Sequence, residues 1–171
     1  FGLATGIVLG LILIFIVFGA VLEGTGAGDS LIRIAFALTG RSRGGPAHAA
    51  VGASALFGAM SGSVTANVVG TGVMTIPMIK KRGFTAEFAG AVEAAASSGG
   101  QIMPPVMGAA AFLMADLIGM PYIKICVAAL LPALFYYASI FISVALEARR
   151  LGIKPIPAEK RQKLVMRDLF N

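Results

Sequence analysis

The sequence predicts an all-α membrane protein, and three observations support this fold class. Of the 171 residues, 57% are hydrophobic and only 13% are charged, with a mean hydropathy of +0.88. Soluble domains average about 45–50% apolar and about 25% charged residues. Several charge-free blocks approach or exceed the ~20 residues that a spanning helix needs, and two of them are interrupted by turn-forming residues. These features predict transmembrane helices together with a re-entrant helical hairpin and a discontinuous helix.

The net positive charge of the chain does not indicate a nucleic-acid partner. The formal net charge is +6, but the basic residues lie between apolar blocks rather than in one patch. The single cysteine, Cys126, lies in an apolar run, which predicts a free buried thiol and no disulfide. The chain begins at Phe1 inside an apolar run that lacks the flanks of a signal peptide, so we expect a piece of a longer protein.

The predicted membrane-embedded part covers residues 1–146 and begins and ends with ordinary helices. Residues 3–22 contain no charge and predict one span, and residues 123–146 predict the last span, with a kink at Pro132. Residues 29–39 are too short to span and predict an interfacial helix that Asp29 and Ser30 can cap. Residues 147–171 predict a basic cytoplasmic segment.

The block at residues 47–79 carries no full charge and predicts the hairpin. One continuous helix of this length would measure roughly 50 Å, whereas two full spans would need about 40 residues. Its middle reads Ser61-Gly62-Ser63, which is typical of a turn. A re-entrant hairpin also places nearly all basic residues on one side of the membrane, with Lys124 alone on the other side. The positive-inside rule therefore favours a cytoplasmic mouth for the hairpin.

The block at residues 85–118 predicts a broken span. It contains Glu93 and is interrupted by Ser97-Ser98-Gly99-Gly100-Gln101, followed by Pro104-Pro105. Proline is tolerated in the first turn of a helix, where its missing N–H would have been unpaired. We therefore predict a helix to about Ala96, an unwound loop, and a second half-helix that starts near Met103.

Two interruptions at membrane depth indicate a binding function, because non-helical backbone is tolerated there only beside a cavity or within protein. Half-helix N-termini suit an anion, while freed carbonyls and Ser, Thr and Asn oxygens suit a hard cation. This pattern favours co-transport of a carboxylate with sodium. The candidate site-lining residues are Ser61, Ser63, Asn67, Ser97, Ser98, Gly99, Gly100 and Gln101.

Other polar residues leave more than one interpretation open. Gln101 suits a substrate contact, because its amide can both donate and accept, and Pro104 is placed with Ser63, Asn67 and Gln101 in the substrate set. Glu93 is either a functional intramembrane acid or a hydrogen-bonded structural acid that clamps the loop. Thr71 can equally bond back to its own helix.

The stretch from Ala53 to Met107, and above all Glu93-Ala94-Ala95-Ala96-Ser97-Ser98-Gly99-Gly100-Gln101-Ile102-Met103-Pro104-Pro105, resembles the large membrane subunit (DctM-like permease) of tripartite ATP-independent periplasmic (TRAP) transporters. It is most similar to the fused-permease branch that works with TAXI-type binding proteins. The resemblance implies one inverted repeat of an elevator-type secondary transporter, with Val106 departing from a common Pro-Pro-Ser pattern. It also implies a sodium site made by Ser61, Gly62, Ser63 and Asn67 at the hairpin tip and by Ser97, Ser98, Gly99 and Gly100 in the facing loop.

The resemblance further implies the partners and the location. We expect a multi-pass protein of a bacterial or archaeal inner membrane, sodium as the coupling ion, no other cofactor and no transition metal. The expected partners are a TAXI-type periplasmic binding protein, the remaining repeat, small-subunit-like helices and an organic acid such as a C4-dicarboxylate. A non-transporting scaffold subunit and a channel are the alternatives. A serine protease with Ser61 and His48 is disfavoured, because roughly 20 Å of helix would separate the two side chains.

Overall fold

The computed structural model describes residues 44–153, together with the isolated positions 13, 17, 21, 24, 25 and 35. Apart from those positions, the predicted span at 3–22 and the interfacial helix at 29–39 lie outside the described residues, as do residues 154–171 of the predicted cytoplasmic segment. The described part of the chain consists of helices and turns without strands. This confirms the all-α prediction.

The first two helices form an antiparallel hairpin. Helix α1 covers Gly45–Ser61 and helix α2 covers Val64–Lys81, so the turn between them contains only Gly62 and Ser63. Gly62 has φ +60°, the left-handed conformation that ends helices, and its N–H donates to the Gly58 carbonyl at 2.8 Å. Ser63 caps α2 by accepting a hydrogen bond from the Ala66 N–H at 3.3 Å. The structure therefore contains the predicted turn at Ser61-Gly62-Ser63.

Helix α3 covers Ala86–Gly99 and is separated from helix α4, Ala109–Ile118, by a loop at residues 100–108. The interruption lies further along the chain than we predicted, since the first helix continues past Ala96 and the second does not start near Met103. The physical reason for the later start of α4 is the proline pair: neither proline has an N–H, and a residue before proline is disfavoured in the helical region. Pro104 and Pro105 therefore lie within the loop rather than in the first turn of α4.

Helix α5 covers Tyr122–Arg150 and extends four residues beyond the predicted end of the last span. Among the described residues it is the one helix that is long and apolar enough to cross a membrane. At 1.5 Å per residue it is roughly 43 Å long. The exposed side chains along it include Val127, Leu131, Phe135 and Ile142.

The core is formed where α1, α2 and α3 pack together and α5 covers them. Its buried apolar members include Val51, Ile79, Phe84, Tyr137 and Val144. A second, smaller cluster joins the loop and α4 to α5 through Met107, Ala111, Ile125 and Cys126. Cys126 is a free buried thiol, as expected from its apolar surroundings. This packing fixes the hairpin tip relative to the loop.

Candidate functional site

The hairpin turn lies directly against the loop that interrupts the second polar block. The Val106 N–H donates to the Ala59 carbonyl at 3.1 Å, which joins the loop to the last turn of α1. A Cβ atom added at Gly62 would lie 1.9 Å from the Met107 carbonyl oxygen. A side chain cannot be accommodated there, so glycine is required by both its conformation and its contact. The two non-helical segments are therefore in direct contact.

A second contact brings the backbones of α1 and α3 together one turn from the tip. A Cβ at Gly58 would lie 2.5 Å from the Gly100 Cα atom, and a Cβ at Gly100 would lie 2.6 Å from the Gly58 Cα atom. The same Gly58 Cβ would lie 2.9 Å from the Asn67 side-chain nitrogen. Small residues permit such close helix approaches in membranes. Gly100 is thus beside the hairpin, as its place in the predicted site requires.

The loop is held by its own backbone and by the first turn of α5. The Gly108 N–H donates to the Gln101 carbonyl at 2.8 Å and closes the loop. The Tyr122 hydroxyl lies 3.0 Å from the Pro105 carbonyl oxygen and 2.5 Å from the Val106 carbonyl oxygen. These carbonyls have lost the helical partners that a continuous helix would provide. Tyr122 therefore satisfies backbone that the interruption leaves unpaired.

Two further tyrosines of α5 bind the end of α3. Tyr136 donates its hydroxyl hydrogen to the Ala95 carbonyl at 2.8 Å, and Tyr137 donates to the Ala96 carbonyl at 2.9 Å. The Gly100 N–H donates to the Ser97 carbonyl oxygen at 3.1 Å, three residues earlier, so α3 ends in a tighter turn of the 3₁₀ type. A Cβ at Gly99 would lie 2.7 Å from ring atoms of both tyrosines. Helix α5 therefore fixes the position at which α3 stops.

Glu93 is the centre of a fully buried polar cluster between α1, α2 and α3. Its Oε1 atom accepts hydrogen bonds from Ser54 at 3.1 Å, from Ser97 at 3.2 Å and from Thr71. Its Oε2 atom accepts a hydrogen bond from Thr75 at 2.5 Å. All five side chains are 0% exposed. We call Ser54, Thr71, Thr75, Glu93 and Ser97 the Glu93 cluster.

The predicted site residues divide into three groups. Gly62 lies against the loop, Gly99 lies against α5, and Gly100 lies against α1 of the hairpin. Ser97 and Asn67 are fully buried: Ser97 belongs to the Glu93 cluster, and Asn67 borders it, since its Nδ2 donates to the Ser54 carbonyl at 2.8 Å and its Oδ1 lies 3.3 Å from Thr71 Oγ1. The remaining residues border the tip or the loop with at least partly exposed side chains: Ser61, Ser63, Ser98, Gln101 and Pro104.

Three predicted positions differ from the expected geometry. Ser97, Ser98 and Gly99 lie in the last turn of α3 rather than in the unwound loop. Ser98 is exposed and donates to the Ala94 carbonyl at 2.8 Å, so its side chain is bonded back to its own helix. Residues four apart lie on one helix face, whereas adjacent residues point about 100° apart. Ser97 therefore shares the Glu93 face and Ser98 does not.

Sequence reasoning missed Ser54 and Thr75 and gave Thr71 little weight. The signal that could have identified them is spacing, because Asn67, Thr71 and Thr75 are four apart on α2. Thr71 does bond back to the Asn67 carbonyl at 2.8 Å, as considered, and it also contacts Glu93. Only the packing of three helices shows that these polar faces converge on one carboxyl group.

The geometry also disfavours the protease interpretation. The His48 Nε2 atom lies 3.0 Å from the Phe141 carbonyl oxygen, and its ring stacks on the Phe141 ring at a centroid distance of 5.2 Å. Both contacts are with α5, while Ser61 lies at the opposite end of α1. His48 is therefore directed away from the only serine for which it was considered as a base.

Comparison with known proteins matches this chain to one family model and to proteins named as permeases. Residues 3–167 match the family model for the tripartite ATP-independent periplasmic transporter, DctM component. The C4-dicarboxylate TRAP transporter large permease protein DctM of Pseudomonas aeruginosa is 32% identical over 152 residues, which cover 88% of this chain and 34% of that protein. The sialic acid TRAP transporter permease protein SiaT of Haemophilus influenzae is 25% identical over 150 residues, covering 88% of this chain and 24% of that protein.

Two other relatives have different names. The uncharacterized protein y4mL of Sinorhizobium fredii is 30% identical over 150 residues, or 86% of this chain and 35% of that protein. The isethionate TRAP transporter permease protein DctMQ of Oleidesulfovibrio alaskensis is 36% identical over 91 residues, or 53% of this chain and 14% of that protein. The chain thus spans about a third or less of these relatives' lengths.

Proposed function

Because the chain belongs to the DctM component family of tripartite ATP-independent periplasmic transporters, we propose that it contributes to sodium-coupled uptake of an organic acid. The family consists of transporter permeases and not of enzymes. In this proposal the hairpin is re-entrant from the cytoplasmic side of the inner membrane. The substrate is delivered by a TAXI-type periplasmic binding protein, and the rest of the permease completes the path.

The observation that carries the proposal is the direct contact between the two interruptions. The turn at Gly62 and the loop residue Met107 touch, and the Val106 N–H bonds to α1. Backbone that leaves helical geometry within a membrane is found where it lines a cavity or is buried in protein. Paired helix interruptions near the midplane are also how secondary transporters build substrate and ion sites. The scaffold alternative offers no reason for two such breaks to meet.

The type of substrate follows from the helix ends and from the relatives. Helices α2 and α4 both begin at the interruptions, so their partial positive ends are close to the proposed site. Relatives are named for C4-dicarboxylate, sialic acid and isethionate, all of which are anions at neutral pH. An organic anion is the common chemistry. In the proposal, Gln101 and Pro104 contact the acid, and Ser63 and Asn67 contact both acid and ion.

The coupling ion is assigned to oxygens near the same interruptions. Sodium is a hard cation that binds carbonyl and hydroxyl oxygens, and helix breaks supply both. The ion set keeps the residues predicted from sequence, which are Ser61, Gly62, Ser63, Asn67, Ser97, Ser98, Gly99 and Gly100. Ser98 is the weakest member of this set, because its hydroxyl bonds back to α3.

The test is uptake by the complete permease in proteoliposomes with its cognate binding protein. Gln101→Ala removes an exposed loop amide, and Asn67→Ala removes a buried amide that borders the Glu93 cluster. We expect both variants to insert normally and to lose at least tenfold in sodium-dependent uptake. Ser143→Ala, an exposed hydroxyl that bonds back to α5, is the control. Full sodium-dependent uptake by both variants would favour a scaffold role for this chain.

A further inference from the structure

We infer that the Glu93 cluster is itself a monovalent-cation site, centred on the Glu93 carboxyl group and sharing Ser97 and the bordering Asn67 with the ion set proposed at the interruptions. The inference deepens the proposed function and rests on it, because it names where a coupling cation binds. About eight residues, or roughly 12 Å of helix, separate Thr71 from the cap residue Ser63. The cluster therefore begins about two turns from the tip, between the hairpin arms and α3.

The first argument is charge. Glu93 is 0% exposed, and among the residues that the structure describes its oxygens accept hydrogen bonds only from hydroxyl groups, with no basic side chain in contact. The salt bridge found among the described residues joins Arg150 to Glu147 and does not involve Glu93. An ionised carboxylate in a low-dielectric interior is costly unless it is paired with a positive charge. A bound cation supplies that charge.

The second argument is the type of donor around the carboxyl group. Backbone N–H groups and guanidinium groups can only donate, so they would fix Glu93 as a structural anion. Hydroxyl groups both donate and accept, because their hydrogens rotate. Four hydroxyls from three helices surround Glu93, and the Asn67 amide oxygen adjoins them at 3.3 Å from Thr71 Oγ1. Once their hydrogens turn away, these groups present a shell of oxygen ligands.

The third argument is that the hydroxyl hydrogens have other acceptors. Thr71 Oγ1 lies 2.8 Å from the Asn67 carbonyl oxygen, and Thr75 Oγ1 lies 3.0 Å from the Thr71 carbonyl oxygen. When a cation takes the Glu93 oxygens, both threonines can donate to these carbonyls instead. No buried hydroxyl hydrogen of these two residues then loses its hydrogen bond. The site can therefore alternate between an internally bonded state and a cation-bound state.

The ligand set also selects the kind of cation. All ligands are oxygens, which suit hard cations such as Na⁺ rather than soft transition metals. The cluster contains one carboxyl group, so a monovalent ion gives a neutral buried site. A divalent ion would leave a net positive charge in the same low-dielectric surroundings. Na⁺ or Li⁺ is therefore favoured over Ca²⁺ and Mg²⁺.

The experiment measures how Na⁺ changes the thermal stability of the complete, purified permease, with K⁺ used to hold ionic strength constant. Glu93→Gln keeps the shape of the side chain and removes the charge, and Thr75→Val removes one ligand at similar volume. We expect the half-saturating Na⁺ concentration to rise at least tenfold in each variant. Ser139→Ala, an exposed hydroxyl bonded back to the Tyr136 carbonyl, is the control and should match the wild type.

The outcomes separate this inference from the proposed function. If the wild type responds to Na⁺ and Glu93→Gln responds at the same concentrations, the cluster is not a cation site although the proposed function stands. A response that follows pH and ignores Na⁺, or that Mg²⁺ reproduces equally, also overturns the inference. If the wild type shows no sodium-dependent uptake and no Na⁺ response, the proposed function fails together with it. Loss of the response in both cluster variants, with the control unchanged, supports the assignment.

Discussion

Gly62→Ala tests whether the contact between the hairpin turn and the loop stabilises the site. The substitution has two separable effects. A residue with a side chain at φ +60° is strained by about 1–2 kcal/mol, because its Cβ approaches the following carbonyl oxygen. The new Cβ would also lie 1.9 Å from the Met107 carbonyl oxygen, and contacts under 3.0 Å force a shift. The loop or the turn must therefore move by about 1 Å, which we obtain as the difference between these two distances.

A matched control isolates the cost of displacing the packed groups around the new methyl group. Displacing packed groups to fit an extra methyl typically costs about 1–3 kcal/mol, so Gly62→Ala should lower the free energy of unfolding by about 2–5 kcal/mol in total. Gly119 ends α4 with φ +71° and has no atom within 4 Å of a built Cβ. Gly119→Ala therefore has the conformational strain alone and should cost about 1–2 kcal/mol.

The assay is thermal or denaturant unfolding of the complete permease, followed by uptake measurements on the folded fraction of each variant. We expect Gly62→Ala to be less stable than Gly119→Ala and also to lose uptake, because the two interruptions no longer fit together. Equal destabilisation by the two alanines, with uptake retained in both, would refute the claim that the turn and the loop form one site.

Three further predictions concern the end of α3, the ion set and the membrane orientation of the hairpin. Tyr137→Phe leaves the Ala96 carbonyl without its side-chain donor and should lower stability by about 0.5–1.5 kcal/mol; unchanged unfolding would show that the hydroxyl does not hold the end of α3. Ser98→Ala should have the smallest effect in the ion set and leave the half-saturating Na⁺ concentration for uptake within about twofold of the wild type, about 0.4 kcal/mol, since this hydroxyl bonds back to α3; a tenfold rise would show that the hydroxyl binds the ion directly. Cysteines that replace Arg43 and Lys81 in a cysteine-free background should both react with an impermeant reagent from the cytoplasmic side, and labelling from opposite faces would contradict the re-entrant hairpin.

The turn of the hairpin could be predicted from sequence because the determinants are local. A glycine between two serines, in an apolar block too long for one span and too short for two, leaves few alternatives. Gly62 adopts the left-handed conformation and Ser63 caps the next helix, both of which depend on neighbours within four residues. Re-entry into the membrane stays a prediction, because it depends on where the helices lie relative to lipid.

The limits of the second interruption could not be predicted in the same way, because distant residues determine them. Tyr122, Tyr136 and Tyr137 belong to α5 and bind carbonyls at positions 16 to 41 residues earlier in the chain. A pattern read within a short window shows that the helix must break, but not at which residue. For the same reason, the Glu93 cluster is not evident from spacing on any single helix. It becomes visible only when the polar faces of three helices are packed together.

The contact between Gly58 and Gly100 has a consequence for how this protein can change during evolution. At most tight helix contacts, a larger residue on one helix can be compensated by a smaller residue on the other helix. Here each partner is already the smallest amino acid, and the nearest atoms are main-chain atoms. No second-site substitution can therefore restore the fit after either glycine is replaced. Random mutagenesis selected for activity should leave both positions as glycine and recover no suppressor pair, even though neither residue has a side chain to contribute to binding.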